Sequence, residues 1–409
     1  MFSRALQQLN SYRRCNGVTL VLSISSLLFS CSHPTKITAQ AAAAPDPFAD
    51  PVPHSREAND AGRFLAGLPG TEGSSFAELQ GKTAWEVHRR AMDRGWSTIQ
   101  ERTLPAMHQF QTTELDALPI SNAVVFYPFS GPDALMLTVF FPRNPTYVMV
   151  GLEPPGTLPT PKQFAKKDLA TALARERVTV DDELHRSFFI TRQMDRQFRG
   201  QVTDGLLTPI LQLLVRSGHT VLGHRYVRLT DDGQMVERVH GATGETGSKG
   251  VELEFQNDAD QSVHKLVYLS VNLSDSHLRD NKPFLAFMTK LNGVASYFKA
   301  TSYMTHKPEF SIIREQVLSR SSAILQDDSG IPYHFLRDQA WQIQLYGKYV
   351  RPYGSFRWLE QADLKKAYLT TDPKPLEFQI GYGFRKMPSN LLFAQKARVS
   401  LNRPPANGR

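Results

Sequence analysis

Residues 123–156 read AVVFYPFSGPDALMLTVFFPRNPTYVMVGLEPPG, and this pattern decides the fold class. Ala123 to Tyr127 form a continuous apolar run, the mark of a strand buried on both faces. Ser130-Gly131-Pro132-Asp133 turns the chain, and Ala134 to Phe141 reads as a short apolar helix stopped by Pro142. Tyr147 to Val150 is a second buried strand, closed by Gly151-Leu152-Glu153-Pro154. Strand, helix and strand at this spacing predict a parallel βαβ unit with a right-handed crossover.

Outward from this unit the period changes. Between His219 and Leu273, Val251, Leu253 and Phe255 alternate with Glu252 and Glu254, while Val263, Val267, Leu269, Val271 and Leu273 share one strand face. Asp231-Asp232-Gly233 and Asn257-Asp258-Ala259-Asp260 supply turns, so an antiparallel meander of about four strands is expected. Helical spacing covers roughly 76–93 before Gly95, then 161–200, Pro209 to Arg216, Pro283 to Leu291 and Phe310 to Leu318. Late strands are expected at Trp341 to Leu345 and, last, at Leu376 to Ile380. The fold class is therefore α/β: a mixed sheet with a parallel βαβ unit and an antiparallel meander, helices packed on the sheet. One domain is expected over 61–400, with a loose tail over 401–409.

The start of the chain reads as a signal segment over 1–31. Arg4, Arg13 and Arg14 precede the apolar run Val18 to Ser30, with no acidic residue among them. That run is short of the ~20 apolar residues that span a bilayer. Leu28-Phe29-Ser30-Cys31 matches a lipobox, in which Cys31 would be acylated and become the first mature residue. Ala39-Gln40-Ala41, with cleavage before Ala42, is the rival, and would leave a free periplasmic or secreted protein. Residues 32–60 are Ala/Pro-rich and are expected to be a disordered tether.

Composition excludes several classes. Both cysteines, Cys15 and Cys31, precede the body, which therefore has no disulfide, thiolate nucleophile or cysteine metal site. The formal charge of +8 is dispersed, with no basic cluster interleaved with aromatics, so no nucleic-acid partner is expected. Mild basicity suits contact with anionic lipid or a polyanionic envelope polymer. The expected partners are the membrane, through a lipid at Cys31, and an envelope protein or polymer.

In open α/β sheets, ligands bind outside the carboxyl ends of parallel strands. Ser130, Gly131 and Asp133 follow the first strand and Glu153 follows the second, which makes them the ligand-binding candidates. A glycine turn into a helix can hold an anion on free N–H groups, but Pro132 removes a donor and Asp133 adds negative charge. The layout resembles a nucleotide or methyl-donor site superficially and lacks the G-x-G-x-x-G spacing. The competing structural role is a helix cap at Asp133 and a tight turn at Gly131. Gln326-Asp327-Asp328-Ser329-Gly330 offers paired carboxylates that could share a proton or bind a cation, or simply form a turn. Tyr346, Tyr349, Tyr353, Phe356 and Trp358 suggest a polymer-stacking surface or core. Asp181-Asp182-Glu183-Leu184-His185 reads as a solvated helical face.

No H-E-x-x-H or G-x-S-x-G motif is present. His219 and His224 fall on opposite faces of one strand, a poor ligand pair. The S-x-x-K matches ending at Lys265 and Lys299 lack the companion motifs of S-x-x-K hydrolases. No metal site or cofactor is named by these residues.

Three strings resemble those of an uncharacterised family of exported bacterial proteins: Tyr127 to Asp133 (YPFSGPD), Gly151 to Pro154 (GLEP) and Gln326 to Tyr333 (QDDSGIPY). The resemblance covers the body from about residue 60 and implies a single bacterial envelope domain, with no assigned activity. Three functional expectations follow. The first is a binding or assembly protein using the cleft beside Ser130, Asp133 and Glu153, with the Asp327/Asp328 turn nearby. The second is an envelope hydrolase using Asp133, Glu153, Asp327 or Asp328 as acid, base or cation ligand. The third is a degenerate nucleotide-fold protein without cofactor. Convergence of the carboxylates in one pocket, with His306 or His334 in reach, would favour the hydrolase.

Overall fold

The computed structural model describes residues 46–116, 118, 120, 123–186, 204–238, 248–337, 341–352, 354–383 and 388–396, with backbone alone over 178–186. The signal segment, Cys31 and Ala42, the tether up to residue 45 and the C-terminal tail lie outside the described residues, as do Tyr353 and the side chains of Asp181 to His185.

The chain builds one ten-stranded mixed sheet. Its strands are β1 (Val125–Pro128), β2 (Thr146–Gly151), β3 (His219–Leu229), β4 (Met235–Glu237), β5 (Lys249–Asn257), β6 (Val263–Ser270), β7 (Val294–Phe298), β8 (Ser321–Gln326), β9 (Trp341–Gly347) and β10 (Asn390–Lys396). Their spatial order is β4-β3-β5-β6-β2-β1-β7-β8-β10-β9. β6, β2, β1, β7 and β8 run parallel, β3, β5 and β6 form the antiparallel meander, and β10 is antiparallel to both β8 and β9. Counted in chain order, the parallel strands lie third, second, first, fourth and fifth, and the chain reverses its direction of travel at β1 and β7. That is the doubly wound arrangement, whose crevice opens at the carboxyl ends of the two strands flanking the reversal.

Helices cover both faces. On one side α1 (Glu57–Leu65), α2 (Thr83–Arg102), α3 (Ala134–Phe140) and, beyond α4 (Leu169–Arg186), α5 (Leu207–Arg216) pack against Tyr127, Tyr147, Met149, Leu253, Tyr297 and Leu325. On the other, α6 (Lys282–Lys290), α7 (Ser311–Arg320) and α8 (Ala362–Thr370) pack against Phe126, Val148, Val267, Phe298 and Ile324. Neighbouring residues of β1 and β7 thus serve opposite cores, which is why these strands read as unbroken apolar runs. α6 starts where the Asn281 side chain accepts from Phe284 N–H, with Pro283 in its first turn.

Several boundaries depart from the sequence expectation. The tether does not extend to residue 60: residues 46–60 belong to the body. Val52 and Ala58 are buried, and Phe48 meets Phe287 edge-on at 6.0 Å. Lys265 Nζ donates to the Phe48 and Asp50 carbonyls at 2.6 and 2.9 Å, and Arg225 bridges Asp50 to buried Glu252. The apolar surface of the meander supplies the burial that this segment cannot generate for itself. α2 runs through Gly95 because Trp96 and Ile99 continue the buried stripe beyond it. The last strand is β10 rather than Leu376 to Ile380, where only Lys374 makes an isolated bridge to Tyr346. β7 is an addition to the expected elements.

Candidate functional site

The crevice between β1 and β7 is filled by the chain's own charges. Asp133 stands at the N-cap of α3, with Oδ1 accepting from Met136 N–H at 3.4 Å. Its Oδ2 accepts from the Tyr127 hydroxyl at 3.0 Å and lies 2.7 Å from Lys299 Nζ. Both side chains of this ion pair are 1% exposed. Tyr127 also meets Tyr297 edge-to-face at 4.7 Å. The turn itself has few free donors. Ser130 N–H reaches the Val150 carbonyl, Asp133 N–H the Ser130 carbonyl and Ala134 N–H the Pro132 carbonyl. Ser130 Oγ donates within the turn, to the Gly131 carbonyl at 2.9 Å.

Beyond Lys299, the loops after β7 and β8 interlock. Asp327 Oδ2 accepts from Ala300 N–H at 2.8 Å, and Oδ1 from the Ser329 N–H and hydroxyl at 3.0 and 2.5 Å. Asp328 Oδ2 accepts from the Tyr303 hydroxyl at 2.6 Å and Oδ1 from Asn390 Nδ2 at 3.1 Å. Gln326 closes the loop by exchanging two 2.8 Å hydrogen bonds with the Ile331 backbone. Burial raises the Asp327 carboxyl against its hydrogen bonds from Ser329 and Ala300. Burial, then repulsion from Asp327, pushes Asp328 up to about 7 against the donors Tyr303 and Asn390. Burial thus favours the protonated form of both carboxyls, and repulsion from Asp327 adds to it at Asp328.

Backbone strain gathers at the same edge. Phe129, Ala300, Ser302 and Tyr303 all have left-handed backbone, with φ between 50° and 59°. Among the described non-glycine residues, Gln261 is the other such case, and it lies in the turn between β5 and β6. Strain of this kind persists where surrounding contacts over-determine it.

The candidate residues thus fall into two groups. Ser130, Gly131, Asp133, Asp327 and Asp328 share the β1–β7–β8 edge. Glu153 is drawn to the other side of β2, where its carbonyl accepts from Tyr268 of β6 at 2.7 Å. His306 packs edge-on against Tyr303 at 5.1 Å, and burial lowers it to about 4, so its ring is neutral at neutral pH. His334 approaches His306 closely enough to oppose its charging. Among the described residues, no group of three or more His, Cys, Asp or Glu is placed to hold a metal ion. Of the aromatic stretch, Tyr346 is core, Phe356 packs on Tyr303 and Tyr382, and Trp358 is 72% exposed.

Tyr303 and Asn390 are site residues that sequence reasoning missed, and Lys299 was named only as the end of a discounted S-x-x-K match. Lys299 carried a signal: it ends the apolar run Val294 to Phe298, where a lysine must find a buried partner or leave the core. No protein-family model, curated protein or solved structure matches the chain.

Proposed function

We propose that this chain is an exported bacterial envelope protein, held to the membrane by a lipid at Cys31, whose body binds or assembles with an envelope protein or polymer rather than catalysing a reaction. The observation that carries this reading is the buried Asp133–Lys299 pair, which occupies the crevice where a doubly wound sheet would take its ligand. The engaged oxygens of Asp327 and Asp328 support it further, since a hydrolytic acid or base needs an atom within reach of substrate. The resemblance to exported proteins and the lipobox-like Leu28 to Cys31 support the location.

The strand order favours a companion reading of the scaffold. It is a nucleotide-type sheet whose cofactor site has been closed by an internal ion pair, with the N–H groups of Ser130, Asp133 and Ala134 bonded within the chain.

Native mass spectrometry of protein from the membrane and soluble fractions of its own host tests both. The expected species is a membrane form beginning at acylated Cys31 with no small molecule bound. A mature form beginning at Ala42 would sink the anchor. A retained nucleotide-sized mass would sink the closed-site reading.

A further inference from the structure

The short 3-10 turn Gly354–Leu359 and helix α8 together present an exposed surface of cations and single apolar side chains. With about three residues per turn, Phe356 and Leu359 share the inner side of the first piece. Phe356 packs on Tyr303 at 5.3 Å and on Tyr382 at 5.7 Å, and Leu359 is buried. Arg357 and Trp358, between them, are therefore turned outward, and both are exposed. On α8, Leu364, Ala367 and Tyr368 are buried, which leaves Lys365, Lys366 and Leu369 on the outer face. Leu369 is 77% exposed. Glu360 joins the two pieces, reaching Arg351 at 2.8 Å and Lys365 at 3.1 Å. Gln361 fixes their junction to the body: Nε2 donates to the Asp328 carbonyl at 2.9 Å, and Oε1 accepts from Tyr333 N–H at 2.7 Å.

Over 351–369 four cations stand against two carboxylates, and both carboxylates are engaged, Glu360 as above and Asp363 by Arg337 at 3.7 Å. Arg357 and Lys366 pair with no carboxylate among the described residues. A lone indole and a lone leucine set among cations make a poor protein interface, whose buried centre is depleted of lysine. They suit a bilayer surface, where tryptophan lies at headgroup level and each lysine or arginine gains from anionic lipid. We propose that 351–369 is a second membrane contact, in which Trp358 and Leu369 enter the headgroup layer of an anionic bilayer while Arg357, Lys365 and Lys366 meet its phosphates. This contact rests on the envelope reading above for its membrane, and needs no lipid at Cys31.

Trp358 is its own reporter, because the other tryptophans, Trp85, Trp96 and Trp341, are buried. The mature protein purified from its host is mixed with vesicles of phosphatidylglycerol and phosphatidylcholine brominated on their acyl chains, and separately with vesicles of brominated phosphatidylcholine alone. Emission should shift to the blue and be quenched by the first vesicles and not by the second, and Trp358→Phe should lose that component. Each cation near an anionic surface gains roughly fivefold, so Arg357→Gln with Lys366→Gln should lower the ratio of inserted to free Trp358 roughly twenty-five-fold. Quenching in protein that lacks an acylated Cys31 would support this contact while the anchor fell. Unquenched Trp358 in protein that sediments with the vesicles would leave the anchor standing and overturn the contact. Equal quenching by phosphatidylcholine alone overturns it too. So does a Trp358 shielded from acrylamide without lipid in a species of twice the chain mass, which would assign the surface to a second copy.

Discussion

Lys299→Met is the substitution that most directly probes the closed crevice. It removes the ammonium from a pair whose side chains are each 1% exposed and leaves Asp133 with Tyr127 at 3.0 Å and Met136 N–H at 3.4 Å. Breaking a buried pair from one side costs about 3–5 kcal/mol, because the surviving charge stays desolvated. Replacing both partners, Asp133→Asn with Lys299→Met, leaves no orphan charge and keeps the cap, so the double variant should lose at most about 2 kcal/mol. The double-mutant cycle should therefore show a coupling of at least about 2 kcal/mol. Urea unfolding followed by tryptophan fluorescence reads it. At a slope of about 3 kcal/mol/M, the midpoint of Lys299→Met should fall by about 1 M or more. A loss under about 1 kcal/mol, or additive single effects, would refute the idea that this pair closes the crevice.

Other expectations follow from the same geometry. Asp328 has its folded pKa raised, so its proton-linked stability is full below the ordinary carboxylate range and is lost as pH rises through about 7. His88 and His306, both lowered to about 4, lose stability in the opposite direction, as pH falls from 6.5. Stability of the wild type relative to Asp328→Asn should therefore decline between pH 5 and pH 8 in matched urea titrations. Gly381 has φ of 57°, and a β-carbon there would run into Asp327 Oδ2, whereas Gly218, with φ of 80°, has open space around it. In thermal melts, Gly381→Ala should cost about 1–3 kcal/mol more than Gly218→Ala, the difference being overpacking alone. Arg225→Met leaves Glu252 with Lys265 alone, at 3.8 Å, and releases Asp50, so limited proteolysis should cut residues 46–54 faster than in the wild type. Unchanged cleavage would show that the Lys265 hydrogen bonds and apolar contacts hold the segment without Arg225.

The βαβ unit and the meander were legible because each is specified locally. Val125 to Tyr127, Ala134 to Phe140 and Tyr147 to Val150 carry uninterrupted apolar signals, and Val251 to Phe255 alternates cleanly. The edge positions of Ser130, Asp133 and Glu153 followed from the strand-end rule. What the sequence did not disclose was which strand lies across β1. The crevice was expected beside β2, and it lies beside β7. Lys299 was therefore noticed only as the end of a discounted S-x-x-K match, and Glu153 was grouped with residues of the β7 side although it lies toward β6. Asn390 and Tyr382 were equally hidden, since they reach Asp328 and residues 300–303 respectively only through tertiary contacts. Residues 46–60 misled for a related reason: their composition predicts disorder, and the surface that holds them comes from strands far along the chain.

β1 is the centre of the sheet, yet its two neighbours come from very different distances along the chain. Val125 pairs with Tyr147 on one side and with Ala295 on the other. A nascent chain can therefore make the first pairing early, but the second must wait until β7 has been synthesised. Until then one edge of β1, and the apolar groups of Phe126 and Tyr127 beside it, have no cover. High contact order at the middle of a sheet slows the committing step of folding and prolongs exposure of a sticky intermediate. Folding in the cell should accordingly depend on a chaperone that holds the amino-terminal half until β7 arrives.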